Sequence, residues 1–317
     1  MKQDYMNKYS NDSSNEIDLR ELFYVLFQRK WFVIIFTSFL SIIGVIYSLS
    51  LPNIYESKTL LAPVNTSSGL SRSIQSSSVS SLAGLAGINL NSGGSDGNSD
   101  KALKKISSLS FFKNNLFINI FLPDLMAVKS WQAEKNELLY DENIYKIESN
   151  LWVRKHSYPQ KQIPSAQESF RKFQSKHLSL SEDKKTGFVT LSIKHQSPYI
   201  AKKWVELIVD EVNTFYRQKD KLESEKAVNY LNKQISMTGL SEIKQVMAML
   251  LQEETKKLTL IEANQYYVFG YIDPPAIMER KAEPSRAIIC IFFALFGATL
   301  SIFLVLIRYY VIKKKTN

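Results

Sequence analysis

The sequence predicts an α/β membrane-proximal base with a long extended α-helical protrusion, flanked by two transmembrane helices. Three observations predict it. Two runs of twenty-one residues, 31–51 and 287–307, carry no charged side chain. A stretch of about forty residues from Ser197 keeps a helical apolar step without a breaker. Short alternating segments lie just after the first uncharged run and just before the second.

The first run reads "WFVIIFTSFLSIIGVIYSLSL" and the second "AIICIFFALFGATLSIFLVLI". Each has the length that crosses a hydrocarbon core of about 30 Å. In lipid a helix satisfies its own backbone donors and acceptors, so the spanning form is helical. Core helices of soluble proteins rarely stay apolar on every face for this long. About thirty mostly polar residues precede the first run, which makes it an uncleaved anchor rather than a cleavable signal. Arg29 and Lys30 precede the first span, and Arg308, Lys313, Lys314 and Lys315 follow the second. Basic flanks favour the cytoplasmic side. Lys281 and Arg286 pull the other way, but long translocated domains obey that bias poorly. The expected division is a cytoplasmic tail 1–30, a span 31–51, a domain 52–286 across the membrane, a span 287–307 and a cytoplasmic tail 308–317.

Within the exposed domain, Tyr55–Leu61 reads as a strand with Tyr55, Ser57, Thr59 and Leu61 on one side. Residues 65–100 shift to Ser, Gly and Asn and read as a flexible loop around "SSLAGLAGINL". Lys101–Phe121 reads as a helix with Asp100 as its N-cap. Leu122–Lys185 is polar and aromatic, and short helices and loops are expected there. Gly187–His195 alternates as a half-buried strand, with Val189, Leu191 and Ile193 inward. Pro198 then stands at the first helical position. Ala201, Val205, Ile208, Val212 and Phe215 step along one face, and Gly239 interrupts the rod before a second helical run. Forty residues make a helix of about 60 Å, whose stripe needs another helix from this chain or a neighbour. "NQYYVFGYID" closes the domain as a last strand.

The 317 residues carry a formal charge of +10. The segment between the tails holds 31 basic and 25 acidic residues, a net +6. That balance suits an anionic polymer or lipid headgroups, or an ordinary solvated surface. Cys290 is the one cysteine, so an internal disulfide is excluded and a cysteine-based zinc site is not expected. His156, His177 and His195 lack metal-ligand spacing and read as surface or packed residues. "GGSDGNSDK" lacks the Gly-Lys-Ser/Thr end of a phosphate loop. There is no Ser-His-Asp order. The reading is therefore of a protein that is not an enzyme, with no cofactor, no metal and no nucleic-acid partner.

Four pieces of the chain carry a resemblance: "W…YSLSLPNIYESKTLLAP", "SSLAGLAG", "SPYIAKKWVELIVDEVN" and "YYVFGYIDPPAIMERKAEPSR". In these the chain resembles the Wzz-type chain-length determinants, the polysaccharide co-polymerases of Gram-negative inner membranes. Members carry a proline-rich stretch leading into the second membrane helix. Here Pro274, Pro275 and Pro284 match it, while Met278 stands where an earlier proline is expected. A short C-terminal tail sets the chain apart from relatives fused to a kinase.

The resemblance implies an inner-membrane regulator of surface polysaccharide (O-antigen, lipopolysaccharide) chain length. It implies a closed homo-oligomeric ring acting as scaffold for a membrane-embedded polymerase, with a lipid-linked glycan as the regulated chain. It also implies two spans, both termini cytoplasmic and the bulk periplasmic. Two other classes stay open: an inner-membrane adaptor of a capsule or exopolysaccharide exporter, and a two-span ligand receptor, which lacks an output module in such short tails. A stiff proline segment between a base sheet and a spanning helix would fix how that helix leaves the domain. Small residues one turn apart in the spans, Thr37 and Ser41, Gly44 and Ser48, Ala294 and Ala298, and Gly297 and Ser301, permit close helix packing. The dense charges Lys219, Asp220, Lys221, Glu223 and Lys226 are candidate length-setting positions on the long helix.

Overall fold

A computed structural model of the protein describes residues 19–64 and 96–316. The chain divides into two compact units, Met1–Pro52 with Glu283–Asn317, and Asn53–Ala282.

The first unit holds α1 (Leu19–Gln28), α2 (Lys30–Ser50) and α9 (Arg286–Thr316). The helix α2 and the stretch Arg286–Tyr309 are long and apolar enough to cross a membrane. Only 11% and 17% of these windows is buried, so neither is the wrapped core helix of a soluble domain. The segment before the first span contains the helix α1, and α9 runs on past Ile307 to Thr316.

The second unit is built on a four-stranded antiparallel sheet in the order β6-β7-β1-β8. Its strands are β1 (Tyr55–Pro63), β6 (Leu178–Glu182), β7 (Val189–His195) and β8 (Phe269–Asp273). The register runs from Tyr55 opposite His195 to Leu61 opposite Val189, and Leu178 lies opposite Ile193. Sequence alternation finds β1 and β7. β6 was missed, although "LSLSE" alternates, because it lies in a segment read as short helices and loops. β7 is also buried more fully than a half-buried strand: Ser192 is covered on its second face. The last strand is shorter than "NQYYVFGYID" suggests and starts at Phe269.

The helical elements differ from the expected ones in three places. The helix α3 spans Asp96–Ile106, so Asp100 is inside it and is not a cap. The expected loop 65–100 lies outside the described residues up to 95, and its last five residues belong to α3. The expected helix 101–121 is broken at Ser107 and Ser108. Ser108 Oγ donates to the Lys105 carbonyl at 2.7 Å and accepts the Phe111 amide, a local serine bond that competes with helix continuation. The chain restarts as α4 (Leu109–Phe111) and a π turn over Phe112–Leu116. After α5 (Leu122–Met126) come two small hairpins, β2 (Val128–Gln132) with β3 (Glu137–Tyr140) and β4 (Tyr145–Lys146) with β5 (Leu151–Trp152). Asn136 and Asn150 take φ of 52° in their turns, a left-handed setting asparagine tolerates. The helix α6 (Ala166–Lys172) leads through a second π turn into β6.

The long helix is α7 (Pro198–Met237), forty residues. Its first half is the core element. Ala201, Trp204, Val205, Ile208, Val209 and Val212 are buried against the sheet and against Phe111, Phe112 and Phe173. Burying side chains of this size stabilises by about 1.5–3 kcal/mol each before entropy is counted. The helix ends before Gly239, and α8 (Ser241–Ala263) folds back along it. α8 is thus a helix of this chain packed along α7, with Val228, Leu231 and Ile235 half-buried.

Candidate functional site

The apolar helices α2 and α9 pack against each other at small residues. Gly44, Ser48, Gly297 and Ser301 are all buried. A Cβ placed on Gly44 would lie 2.6 Å from Phe293 Cβ, and one on Gly297 would lie 3.3 Å from the Thr37 backbone. No larger residue fits at Gly44 without movement. Ser41 and Ser301 turn their hydroxyls back to the carbonyls of Thr37 and Ala298, as serine does inside apolar helices. The Thr37 and Ser48 hydroxyls are buried without a partner among the described residues.

The prolines divide between the two units. Pro274 is exposed and Pro275 buried in the sheet unit, whereas Pro284, after a cis peptide, belongs to the helical unit. Prolines at 274 and 275 have no amide hydrogen, so the β8 ladder ends at Asp273. Side chains then take over from backbone pairing. Thr59 Oγ1 donates to the Asp273 carbonyl at 2.6 Å, Ser57 Oγ donates to the Ala276 carbonyl at 2.9 Å, and the Ala282 amide donates to the Ile54 carbonyl at 2.8 Å. The segment Asp273–Ala282 thus runs back along β1 to its first residues. Thr59 and Ser57 are 2% and 1% exposed. Two hydroxyls at inward positions of a strand are the signal of this in the sequence.

The charges of the long helix are mostly engaged within the chain. Asp220 accepts from Tyr267 Oη at 2.5 Å, Lys221 pairs with Glu262 at 2.5 Å, and Lys219 lies 3.7 Å from Glu223. Arg217 donates to the Asn264 and Gln265 carbonyls, both at 2.7 Å. Burial, followed by the bond to Asp220, pushes the Tyr267 hydroxyl pKa up. These contacts clamp α7 to the end of α8. Lys226 is exposed, one turn beyond the clamp.

Two histidines, His195 buried and His177 half-buried, form a pair with ring centres 5.7 Å apart and Trp204 against both. His195 Nδ1 accepts the Ser197 amide, so Nε2 carries the hydrogen and donates to the Asp124 carbonyl at 3.0 Å. This fixes the turn from β7 into α7. His177 Nδ1 donates to the Lys194 carbonyl at 2.7 Å. Burial holds the pKa of His177 down at about 3 and that of His195 at about 4, so both are neutral at pH 7. Burial also raises the Asp124 carboxyl, although Tyr140 Oη donates to it at 2.7 Å. Among the described residues no group of His, Cys, Asp and Glu could hold a metal ion.

Residues 15–106 match the family Wzz, chain length determinant protein. Over these residues the chain is similar to the Wzz chain length determinants. The Wzz region takes in α1, α2, β1 and α3, hence the first apolar helix and the strand after it. The proline segment and α7 lie outside that match. No curated protein matches the chain. Among solved structures, a full-length bacterial polysaccharide co-polymerase is similar at 14% identity and a TM-score of 0.41, covering 93% of this chain and 99% of its own. A fragment of WzzB, the polysaccharide co-polymerase from Salmonella Typhimurium, is similar at 12% identity and a TM-score of 0.33, covering 73% of this chain and 100% of its own.

Proposed function

We propose that this Wzz-type chain is an inner-membrane regulator of surface polysaccharide chain length, acting as an oligomeric scaffold for a membrane-embedded polymerase. The observation that carries the reading is the Wzz match over residues 15–106, which lies on an apolar helix and the strand after it. In this reading α2 and α9 span the membrane with both termini cytoplasmic. Asn53–Ala282 is the periplasmic domain, an α/β base from which α7 and α8 extend. O-antigen is the proposed polymer. The chain contributes no bond-making chemistry; it would act by holding polymerase and lipid-linked glycan together for a defined number of additions.

The test is deletion with complementation, reading surface polysaccharide as a gel ladder. A clustered long mode that gives way to short or random lengths supports the regulator. Loss of all surface polymer points instead to an export adaptor, and an unchanged ladder removes both.

A further inference from the structure

The corner between α1 and α2 joins exposed aromatic rings to exposed cations. Tyr24, Phe27 and Trp31 are 66%, 70% and 69% exposed, three aromatic rings within eight residues. Lys30 Nζ sits 4.5 Å over the Phe27 ring. Val25 is buried, and α1 packs on α9 and α2. The two long helices are antiparallel: Gly44 meets Phe293, and Leu40 and Thr37 meet Gly297. Continuing that register at equal rise brings Arg29 and Lys30 level with Arg308. All three cations are exposed. No acidic residue occurs in 24–52 or in 286–317.

We propose that α1 lies in the plane of the membrane surface, with Tyr24 and Phe27 at the headgroup boundary. There Arg29, Lys30 and Arg308 bind anionic phospholipid headgroups. This rests on the reading that α2 and α9 span the membrane. Aromatic rings concentrate at that depth, and a short amphipathic helix beside a span lies flat there with its apolar side chains inserted. Clustered cations at the surface attract anionic lipid. α1 holds one acid, Glu21, and the absence of acids across α2 and α9 fits lipid phosphates better than a second copy of this same basic corner.

The full chain, in a Cys290→Ser background, is labelled with a fluorophore at Phe27→Cys or at Ile42→Cys. It is reconstituted in vesicles of phosphatidylcholine with and without phosphatidylglycerol. Brominated lipids should quench the position-27 label at shallow depth and the position-42 label at the bilayer centre. Copurified phosphatidylglycerol should fall at least about fivefold in the Arg29→Gln, Lys30→Gln, Arg308→Gln variant. A position-27 label quenched by iodide and not by lipid overturns the proposal, as does one shielded from both. Equal phosphatidylglycerol in variant and wild type also overturns it. A position-42 label untouched by brominated lipid defeats the spanning reading itself.

Discussion

Asn213 and Phe269 are joined twice: the Asn213 side-chain amide donates to the Phe269 carbonyl at 3.0 Å and accepts the Phe269 N–H at 3.0 Å. The side chain on α7 imitates a strand partner for the first residue of β8. The same Oδ1 also accepts the amides of Val268 at 2.7 Å and Tyr267 at 3.3 Å. Asn213 is 7% exposed, so water cannot replace these bonds. The prediction is that Asn213→Ala destabilises by about 2–4 kcal/mol, from orphaned buried donors and acceptor. Asn213→Asp keeps the acceptor but sets a buried carboxylate oxygen against the Phe269 carbonyl, and should also destabilise. Urea midpoints of the two variants against the parent check both.

A second prediction concerns the apolar helix pair. Gly44→Ala places a methyl group within 2.6 Å of Phe293 Cβ, which is the root of that side chain and cannot swing away. Overpacking of this kind costs about 1–3 kcal/mol. The expected result is a lower thermal midpoint in detergent. Cysteine pairs across α2 and α9 should crosslink less readily than in the parent. Ser48→Ala, which removes a buried hydroxyl without a partner, should leave the midpoint unchanged or raise it.

The proline segment gives a third. Thr59→Val keeps the shape and removes the donor to Asp273, and should cost about 1 kcal/mol, the usual net worth of such a bond. Joined with Ser57→Ala, it should speed amide exchange at Ala282, whose N–H bonds Ile54 at the far end of the stitched segment. Unchanged exchange there would mean the segment holds its course without the hydroxyls.

Charges on α7 separate by their partners. Asp220→Ala should lower stability, because it leaves the buried end of Tyr267 without its acceptor. Lys226→Ala, at an exposed position, should leave the melting point alone. A shift of glycan mode in Lys226→Ala would therefore belong to function. The same shift in Asp220→Ala could follow from loosening α7 on α8, and the paired melting curves distinguish the two.

The histidine pair predicts a pH dependence. Both folded pKa values, about 3 and about 4, lie below the ordinary 6.5. The unfolded chain therefore binds protons that the folded chain refuses. The stability contribution is full above about pH 6.5 and is lost as pH falls from there through 4 toward 3. Asp124, raised by burial, slopes the opposite way at the acid end. Unfolding free energy measured from pH 7 to 4 should fall, and His177→Phe should flatten the fall. A slope that survives in that variant and in His195→Gln would assign it to other groups.

The sequence by itself determined what composition and periodicity can encode. The charge-free runs mark α2 and α9, alternation marks β1 and β7, Pro198 and Gly239 bracket α7, and small residues mark the packed faces of the apolar helices. These are one-dimensional signals, since burial on a face repeats along the chain. Tertiary structure decided everything that depends on which segments meet. That Asp220 and Lys221 face Tyr267 and Glu262, and so clamp two helices, follows from where α8 returns. β6 is a strand because β7 offers it an edge, and "LSLSE" alone was too short to say so. Ser57 and Thr59 looked like ordinary strand residues until the ladder of β8 ended at Asp273. There the prolines have no hydrogen to give, and two hydroxyls some 214 and 219 residues away in sequence complete the pairing.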